Sequence, residues 1–410
     1  MKKSPPFPQA VQLAVEAISP ITSTQYLFFP QFVGRAVAED VKALRPSPLY
    51  TNSAMDGFVG VEPGKMEVEG EILAGVELSK LPPYRPGITH YIATGAPLPE
   101  WGKFVVPVEE VLYWEKGVEL PPKKEGANIR YRGEELDIGA PLLKKGEEIT
   151  PEKVVPLVYQ GITALKCFKP ISVGILPTGT ELAEPFQRDI SPQTLYNTNS
   201  YAIYALLKKF NFDPHLLPTL PDRREEILLQ LEEALERFDA VFTIGGASKG
   251  RADFIGEVLE ELGVETILDG INVKPGKPTR LGIKNGKVIL ALPGNIISSY
   301  LNALGLGIPV LRKLGGYRDS FYTPLWVPNR KKFTLNPKKS HTALGWLDHR
   351  GFQIYKNYKY GSSMILPLAK SNSFALIGPG KRVMEEGEPV PVIPFNLNFV
   401  TFSQSLTGRS

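Results

Sequence analysis

Apolar positions along this chain keep different rhythms in different stretches, and between residues 171 and 311 two rhythms alternate. Ile171 to Leu176 is a continuous β-rich apolar run, the mark of a strand buried on both faces. Helical spacing follows from Ser200 to Lys209, with Asn199 the expected N-cap. A short strand is expected from His215 to Leu217. Asp222 and Glu225 then stand in capping-box spacing ahead of Ile227, Leu228, Leu231, Leu235 and Phe238, a stripe that reads as a core face. Ala240 to Ile244 is the next strand. From Asp253, the apolar residues Phe254, Ile255, Val258, Leu259 and Leu262 return to helical spacing, and Gly263 is a stop signal. Strands near Val264 to Leu268 and Val288 to Leu292 and a helix from Ile296 complete the series. Alternation of this kind predicts a mostly parallel, doubly wound sheet with helices on both faces.

The flanks read differently. A short proline-rich leader precedes helix-like segments around Val11 to Ile18 and Phe32 to Glu39. From Val41 to about Arg130, β-rich runs (Met66 to Leu73, His90 to Thr94, Phe104 to Val108, Val111 to Trp114) alternate with proline and glycine turns. Short helix and linker texture returns from Leu136 to Phe168. The last stretch holds brief strands at Leu325 to Val327, Gln353 to Tyr355, Met364 to Leu368, Phe374 to Ile377 and Val390 to Ile393. The expected fold class is multidomain α/β, in four parts. These are a split helical linker domain (1–40 and 135–168), an inserted β-rich lobe (41–134), a central α/β domain (169–316) and a small C-terminal β-sandwich or barrel (317–410).

Composition narrows the class. With 42% hydrophobic residues in 410, the chain can build several cores. A net charge of +4 is nearly balanced, which argues against a dedicated nucleic-acid binder and makes any basic site local. One cysteine, Cys167, allows neither an internal disulfide nor a cysteine-built zinc site and fits a reducing compartment. Prolines at 5, 6 and 8 interrupt what would be a signal-peptide core. Ile296 to Leu311 is shorter than the ~20 apolar residues of a membrane span. These features point to a soluble cytoplasmic protein. The histidines at 90, 215, 341 and 349 show no ligand spacing.

Chemistry is expected where parallel strands end. The segments in those places are Pro177-Thr-Gly-Thr-Glu-Leu182, Gly245-Gly-Ala-Ser-Lys-Gly250, Lys274-Pro-Gly-Lys-Pro278 and Leu292-Pro-Gly-Asn295. Any one of them could be a plain tight turn. Together they offer bare backbone N–H groups, hydroxyls and lysines, as an anion site requires. Lys249 and Arg251 stand beside a second basic group, Lys274, Lys277 and Arg280. Glu181 and Asp253 supply hard oxygen donors, and magnesium typically takes one or two carboxylates with phosphate oxygens and waters. The implied ligand is a phosphorylated or oxyanionic small molecule with a divalent ion.

Eight segments in order carry a family resemblance: Ser53-Ala-Met-Asp-Gly-Phe58, Ile92-Ala-Thr-Gly-Ala-Pro-Leu-Pro99, Arg132-Gly-Glu-Glu135, Thr178-Gly-Thr-Glu-Leu182, Asn199, Gly245-Gly-Ala-Ser248 with Asp253, Lys274-Pro-Gly-Lys-Pro278 and Leu292-Pro-Gly-Asn295. The chain resembles the molybdopterin molybdotransferases of molybdenum-cofactor biosynthesis, the MoeA-type family that includes the E domain of gephyrin. The resemblance implies metal-dependent cleavage of adenylylated molybdopterin, release of AMP and insertion of molybdate into the dithiolene. It implies catalytic roles for Asp56, Glu135, Glu181 and Asp253, with Glu181 and Asp253 holding magnesium or a similar ion. It places Thr94, Thr178, Gly179, Gly245, Gly246, Ser248, Lys274, Lys277, Pro278, Pro293, Ser298 and Ser363 against the substrates. It also implies a homodimer in which Asp56 and Thr94 reach the partner's α/β site, with the upstream adenylyltransferase and acceptor molybdoenzymes as further partners.

The chain departs from the family pattern in places. Thr180 stands where an aspartate is usual, Glu135 lengthens another carboxylate arm, Lys103 replaces an aspartate, and Ile296 replaces a proline. Gly361-Ser-Ser363 matches a segment that reaches the molybdate site, and Arg330 is the expected basic residue upstream of it. Two alternatives stand beside the enzyme: a non-catalytic pterin-binding scaffold, and the equivalent enzyme on tungstate. A dinucleotide site is excluded, since Gly-Gly-Ala-Ser-Lys-Gly is not Gly-x-Gly-x-x-Gly and comes after a late strand.

Overall fold

The computed structural model describes residues 4–188, 191–246 and 254–396. The chain divides into two compact units. One takes in the chain up to Glu39, the Lys145–Pro151 segment and everything from Ala164 onward; the other comprises Asp40–Lys144 and Glu152–Thr163.

The second unit is built on a six-stranded sheet in the order Phe104–Pro107, Gly57–Gly60, Ile88–Ile92, Gly64–Ile72, Gly117–Leu120, Leu112–Trp114. Phe58, Met66, Phe104, Val106 and Val118 fill one face, while Val59, Ile72, Ile92 and Val105 fill the other. Strand alternation sends neighbouring residues to opposite faces, so two small cores result.

The first unit centres on a second six-stranded sheet, ordered Asp213–Leu216, Ser172–Pro177, Ala240–Ile244, Lys287–Leu292, Arg280–Lys284, Glu265–Asp269. The first four strands are parallel. Arg280–Lys284 runs against them, and Glu265–Asp269 runs against Arg280–Lys284. Two reversals restore the direction, so Glu265–Asp269 ends at the same edge as the four parallel strands. The reversed strand is hard to read in the sequence because Arg280, Gly282 and Lys284 interrupt its apolar pattern, although Asn285-Gly286, both at positive φ, joins it to its neighbour by the tight hairpin that such a pair favours. Val173, Ile175, Phe242, Leu290 and the Thr198–Lys209 helix pack one face; Leu176, Val241, Ile289 and the Arg224–Arg237 and Phe254–Glu261 helices pack the other. Ile296–Asn302, a π-helical turn at Ala303–Gly307 and Ile308–Leu314 succeed one another as a single helical stretch, buried along most of its length.

A third sheet comes next, ordered Val273–Lys274, Ser340–Asp348, Ser373–Ile377, Pro389–Pro394, Leu325–Pro328. Its first strand belongs to the lysine loop of the α/β region, so that loop is stitched to the C-terminal sheet.

Several local expectations fail. Asn197, not Asn199, caps the Thr198–Lys209 helix, its side chain accepting the Ser200 N–H. Asp222 caps nothing: the next helix begins at Arg224, with Arg223 at its N-cap and no side-chain cap bond. Phe32 to Glu39 forms turns and isolated bridges rather than a helix, because Ala36 and Val37 pair with Glu148 and Cys167. Met364 to Leu368 contains no strand; Leu366–Ala369 is a short helix. Among the described residues, no helix is long and apolar enough to cross a membrane.

Candidate active site

Five strand ends share one edge of the central sheet, and the segments leaving that edge enclose two adjoining clefts. The larger, of about 670 Å3, is lined by Thr178, Gly179 and Glu181, by Asp222, by Gly245 and Gly246, and by Pro293–Asn295. Gly245 and Gly246 have φ of 101° and 61°, where a side chain would be strained. A Cβ on Gly245 would also run into the Thr178 carbonyl. The Gly245 N–H donates to the Leu292 carbonyl at 3.1 Å, and glycine lets this loop's backbone pass close to Thr178 along the cleft wall. Thr178 Oγ1 is buried there without a hydrogen-bond partner among the described residues, a group left for a ligand to satisfy. Asn199 Nδ2 donates to the Gly294 carbonyl at 2.6 Å, tying a helix start to the loop across the cleft.

The smaller cleft, of about 400 Å3, is lined by Lys274, Lys277, Ser298, Lys339, Tyr358 and Tyr360. Pro278, Pro293 and Asn295 border both clefts. Among the described residues, none of the three lysines is paired with a carboxylate. Their charge is therefore available to an anion. Asn302 holds the lysine loop from beneath: its Nδ2 donates to the Gly276 carbonyl at 2.9 Å and to Thr279 Oγ1 at 2.6 Å. Gly276 has φ 105°, and any side chain there would strike Asn302.

The structure thus gathers Thr178, Gly179, Glu181, Gly245, Gly246, Pro278, Pro293 and Ser363 around one cleft, and Lys274, Lys277, Pro278, Pro293 and Ser298 around its neighbour. Ser248 and Asp253 lie outside the described residues. The other unit holds Asp56, Thr94 and Glu135. Asp56 Oδ1 accepts the Thr94 N–H at 2.6 Å and the Thr94 hydroxyl at 2.7 Å. These two bonds hold its carboxyl below the usual carboxylate range. Glu135 accepts the Ser47 hydroxyl at 2.8 Å and lines a separate groove of about 760 Å3 with Arg45, Tyr50 and Arg130.

Arg330 is not the cation of the smaller cleft. It pairs with Asp348 at 2.9 Å, and the C-terminal region contributes Lys339 instead. Asp222 has the sequence spacing of a helix cap, yet it lines the larger cleft, where its N–H donates to Thr180 Oγ1 at 3.1 Å. A sequence signal for this exists: Asp213–Leu216 is also a parallel strand, and the loop leaving its carboxyl end belongs to the same edge. Lys339, Tyr358 and Tyr360 give no such signal: Lys339 precedes a strand, Ser340–Asp348, whose His, Thr and Gly residues hide it, and the tyrosines follow the next strand, Gly351–Ile354.

Chemically, the larger cleft offers backbone donors, hydroxyls and carboxylates to an extended polar ligand, and the smaller offers three ammonium groups to a compact anion. Comparison with known proteins agrees in scope. Three family models match in chain order: the MoeA N-terminal region (domain I and II) at residues 6–161, a probable molybdopterin binding domain at 174–313, and the MoeA C-terminal region (domain IV) at 327–395. A molybdopterin molybdenumtransferase of Haemophilus influenzae is 32% identical over 408 residues, 95% of this chain and 98% of its own length. One from Synechococcus elongatus is 28% identical, with 87% and 91% covered. The crystal structure of the molybdopterin biosynthesis MoeA protein of Pyrococcus horikoshii OT3 shares the fold, with a TM-score of 0.82 at 23% identity, covering 95% of this chain and 99% of that one. The chain belongs to the MoeA family.

Proposed function

We propose that this chain is a molybdopterin molybdenumtransferase that takes adenylylated molybdopterin and molybdate, releases AMP and places molybdenum on the dithiolene sulfurs. The observation that carries this reading is the pair of clefts with a common wall. An extended pterin adenylate suits the larger one, and a compact tetrahedral dianion suits the lysines of the smaller. Adjacency then contributes rate by holding the two reactants together.

In the larger cleft, phosphate oxygens lie against the loop that begins at Gly245 and Gly246, and the Thr178 hydroxyl, without a partner among the described residues, supplies a bond. Glu181, with Asp253, would hold magnesium. Among the described residues no cluster of three or more His, Cys, Asp or Glu side chains forms a metal cage. Magnesium keeps waters and phosphates alongside one or two carboxylates, so Glu181 and Asp253 would suffice. When bound it offsets charge on the bridging phosphates. Lys274, Lys277, Ser298 and Lys339 retain the oxyanion. Asp56, kept ionised by Thr94, completes the site from the partner subunit of a homodimer, and Glu135 acts from the same unit.

The decisive experiment combines the purified chain with adenylylated pterin, molybdate and magnesium. AMP release and molybdenum incorporation are expected. Tight pterin binding without AMP release would favour the scaffold alternative. The shared site is tested by mixing inactive Asp56→Asn and Glu181→Gln subunits. Sharing across subunits restores roughly a quarter of wild-type activity through mixed dimers, and absence of recovery would place both residues in one subunit's site.

A further inference from the structure

Lys274 is gripped from two sides. Its short strand pairs in parallel with the C-terminal sheet, with Lys274 opposite His341. Tyr358 Oη donates to the Lys274 carbonyl at 3.0 Å, and the Lys274 ammonium lies 5.8 Å from the centre of the Tyr358 ring. Behind the phenol, His341 Nδ1 lies 2.9 Å from Tyr358 Oη, and His341 Nε2 lies 3.1 Å from the Asn336 nitrogen. These contacts fix the protons. A phenol has one hydrogen, so if Lys274 receives it, His341 must donate from Nδ1 and accept the Asn336 N–H at Nε2. The opposite tautomer would donate from Nε2 to the Asn336 carbonyl, 3.0 Å away, and would draw the phenol hydrogen to Nδ1. It leaves the Asn336 N–H without its acceptor, so the first arrangement is assigned.

Burial keeps both groups neutral, raising the Tyr358 phenol and lowering the His341 imidazolium from their ordinary values. The backbone that delivers Tyr358 is unusual. Lys356, Asn357 and Tyr358 are successive residues at φ 41°, 53° and 64°. Asparagine tolerates this region, but lysine and tyrosine do so only at a cost. Such residues persist where surrounding contacts over-determine them, often at ligand clamps.

We propose that Tyr358, oriented by His341, is a positioning residue that aims Lys274 at the oxyanion of the smaller cleft. The idea rests on reading that cleft as the oxyanion site. Tyr358→Phe keeps the ring beneath the ammonium and removes only the hydroxyl. The Kd for molybdate alone, titrated calorimetrically into the full chain, should rise about tenfold, as the removal of one buried hydrogen bond implies. With saturating molybdate, kcat should stay within about twofold, so the defect falls on KM. In the Lys274→Ala background the same change should cost almost nothing, because its effect runs through the missing ammonium.

Additive losses in the two backgrounds, or an unchanged Kd in Tyr358→Phe, would overturn the proposal. If Tyr358→Phe lowers Tm, His341→Asn offers a second probe: it leaves the phenol in place and should still raise Kd, whereas an unchanged value there removes His341 from the scheme. A wild-type chain that binds no molybdate sinks the reading of the cleft and the positioning role together. A wild-type chain that binds it, with Tyr358→Phe unaffected, sinks the positioning role alone.

Discussion

The two clefts differ in what does the binding. Around the larger one, glycine loops bring the backbone close, and among the described residues the charged side chains are carboxylates, Glu181 and Asp222. Around the smaller one, side chains act, and the cations Lys274, Lys277 and Lys339 outnumber any local acid. Backbone donors are fixed by the fold and cost no side-chain entropy, so they suit a long ligand that needs many weak contacts. Lysines are mobile, and they suit a compact dianion only if something holds them. The Asn302 bonds beneath the loop and the Tyr358 bond beside it provide that hold. The lesson is that an anion site built from side chains needs a supporting layer, while one built from backbone is its own support.

Glu181→Gln should produce the largest effect and test whether the clefts are separable. Loss of this carboxylate is expected to slow AMP release by at least about 100-fold, the scale of removing a principal electrostatic contribution. Molybdate binding should change by less than about twofold, since Glu181 lines only the larger cleft. A parallel loss of molybdate affinity would merge the two clefts into one site. Lys277→Ala is the converse. Removing one charge-assisted hydrogen bond should weaken molybdate binding by about 10- to 100-fold while adenylate cleavage is largely kept. Equal losses in both assays would refute separate subsites.

The same contrast explains what can be read without coordinates. Gly245-Gly246, Thr178 and Pro293 are legible because backbone sites leave glycines and prolines at strand ends, and strand ends show as apolar runs that stop. The supporting layer leaves no such trace. Asn302 sits in an apolar helical stretch and looks like an interruption in it. Its buried amide is explained only by partners in the lysine loop, the Gly276 carbonyl 26 residues away and Thr279 Oγ1. His341 looks incidental when histidine spacing is weighed against metal sites, whereas its role is a hydrogen bond to Tyr358. The Glu265–Asp269 strand shows in the sequence, as does the Asn285-Gly286 turn, yet the Arg280–Lys284 strand that makes its direction right does not. Long-range partners, rather than local propensity, decide each of these.

Asn302→Ala is expected to affect stability more than chemistry. Two hydrogen bonds disappear inside the core, and the Gly276 carbonyl keeps only the Thr279 hydroxyl as a side-chain donor. A loss of about 1–3 kcal/mol in denaturant unfolding is expected, with molybdate affinity falling a few-fold through the loosened loop. Unchanged affinity would show that the Tyr358 side alone positions the lysines. His341 gives a smaller effect with a definite sign. Burial, with Lys274 and Lys339 nearby, lowers its folded pKa below the ordinary value. The unfolded chain therefore takes up a proton that the folded chain refuses. The stability linked to neutral His341 is complete above about pH 6.5 and is lost as pH falls through the folded value. Acid unfolding below about pH 6.5 should be shallower in His341→Asn than in wild type.

Thr180→Asp should do least, and it tests the one departure that touches the carboxylate side of the comparison. Thr180 Oγ1 accepts the Asp222 N–H at 3.1 Å, so the loop after the first strand is already tied to the loop after its neighbour. An aspartate could accept the same N–H, and the backbone should not move. What changes is charge, because another carboxylate would join Glu181 and Asp222 on the cleft proposed to hold phosphates. If magnesium is shared among these groups, the added charge should tighten it and lower the magnesium needed for half-maximal AMP release by about threefold. Phosphate repulsion should offset most of that gain in kcat/KM for the adenylate. A large rise in turnover would instead mean that threonine at this position has cost the chain activity. The balance between backbone donors and carboxylates in the larger cleft would then have to be reassigned.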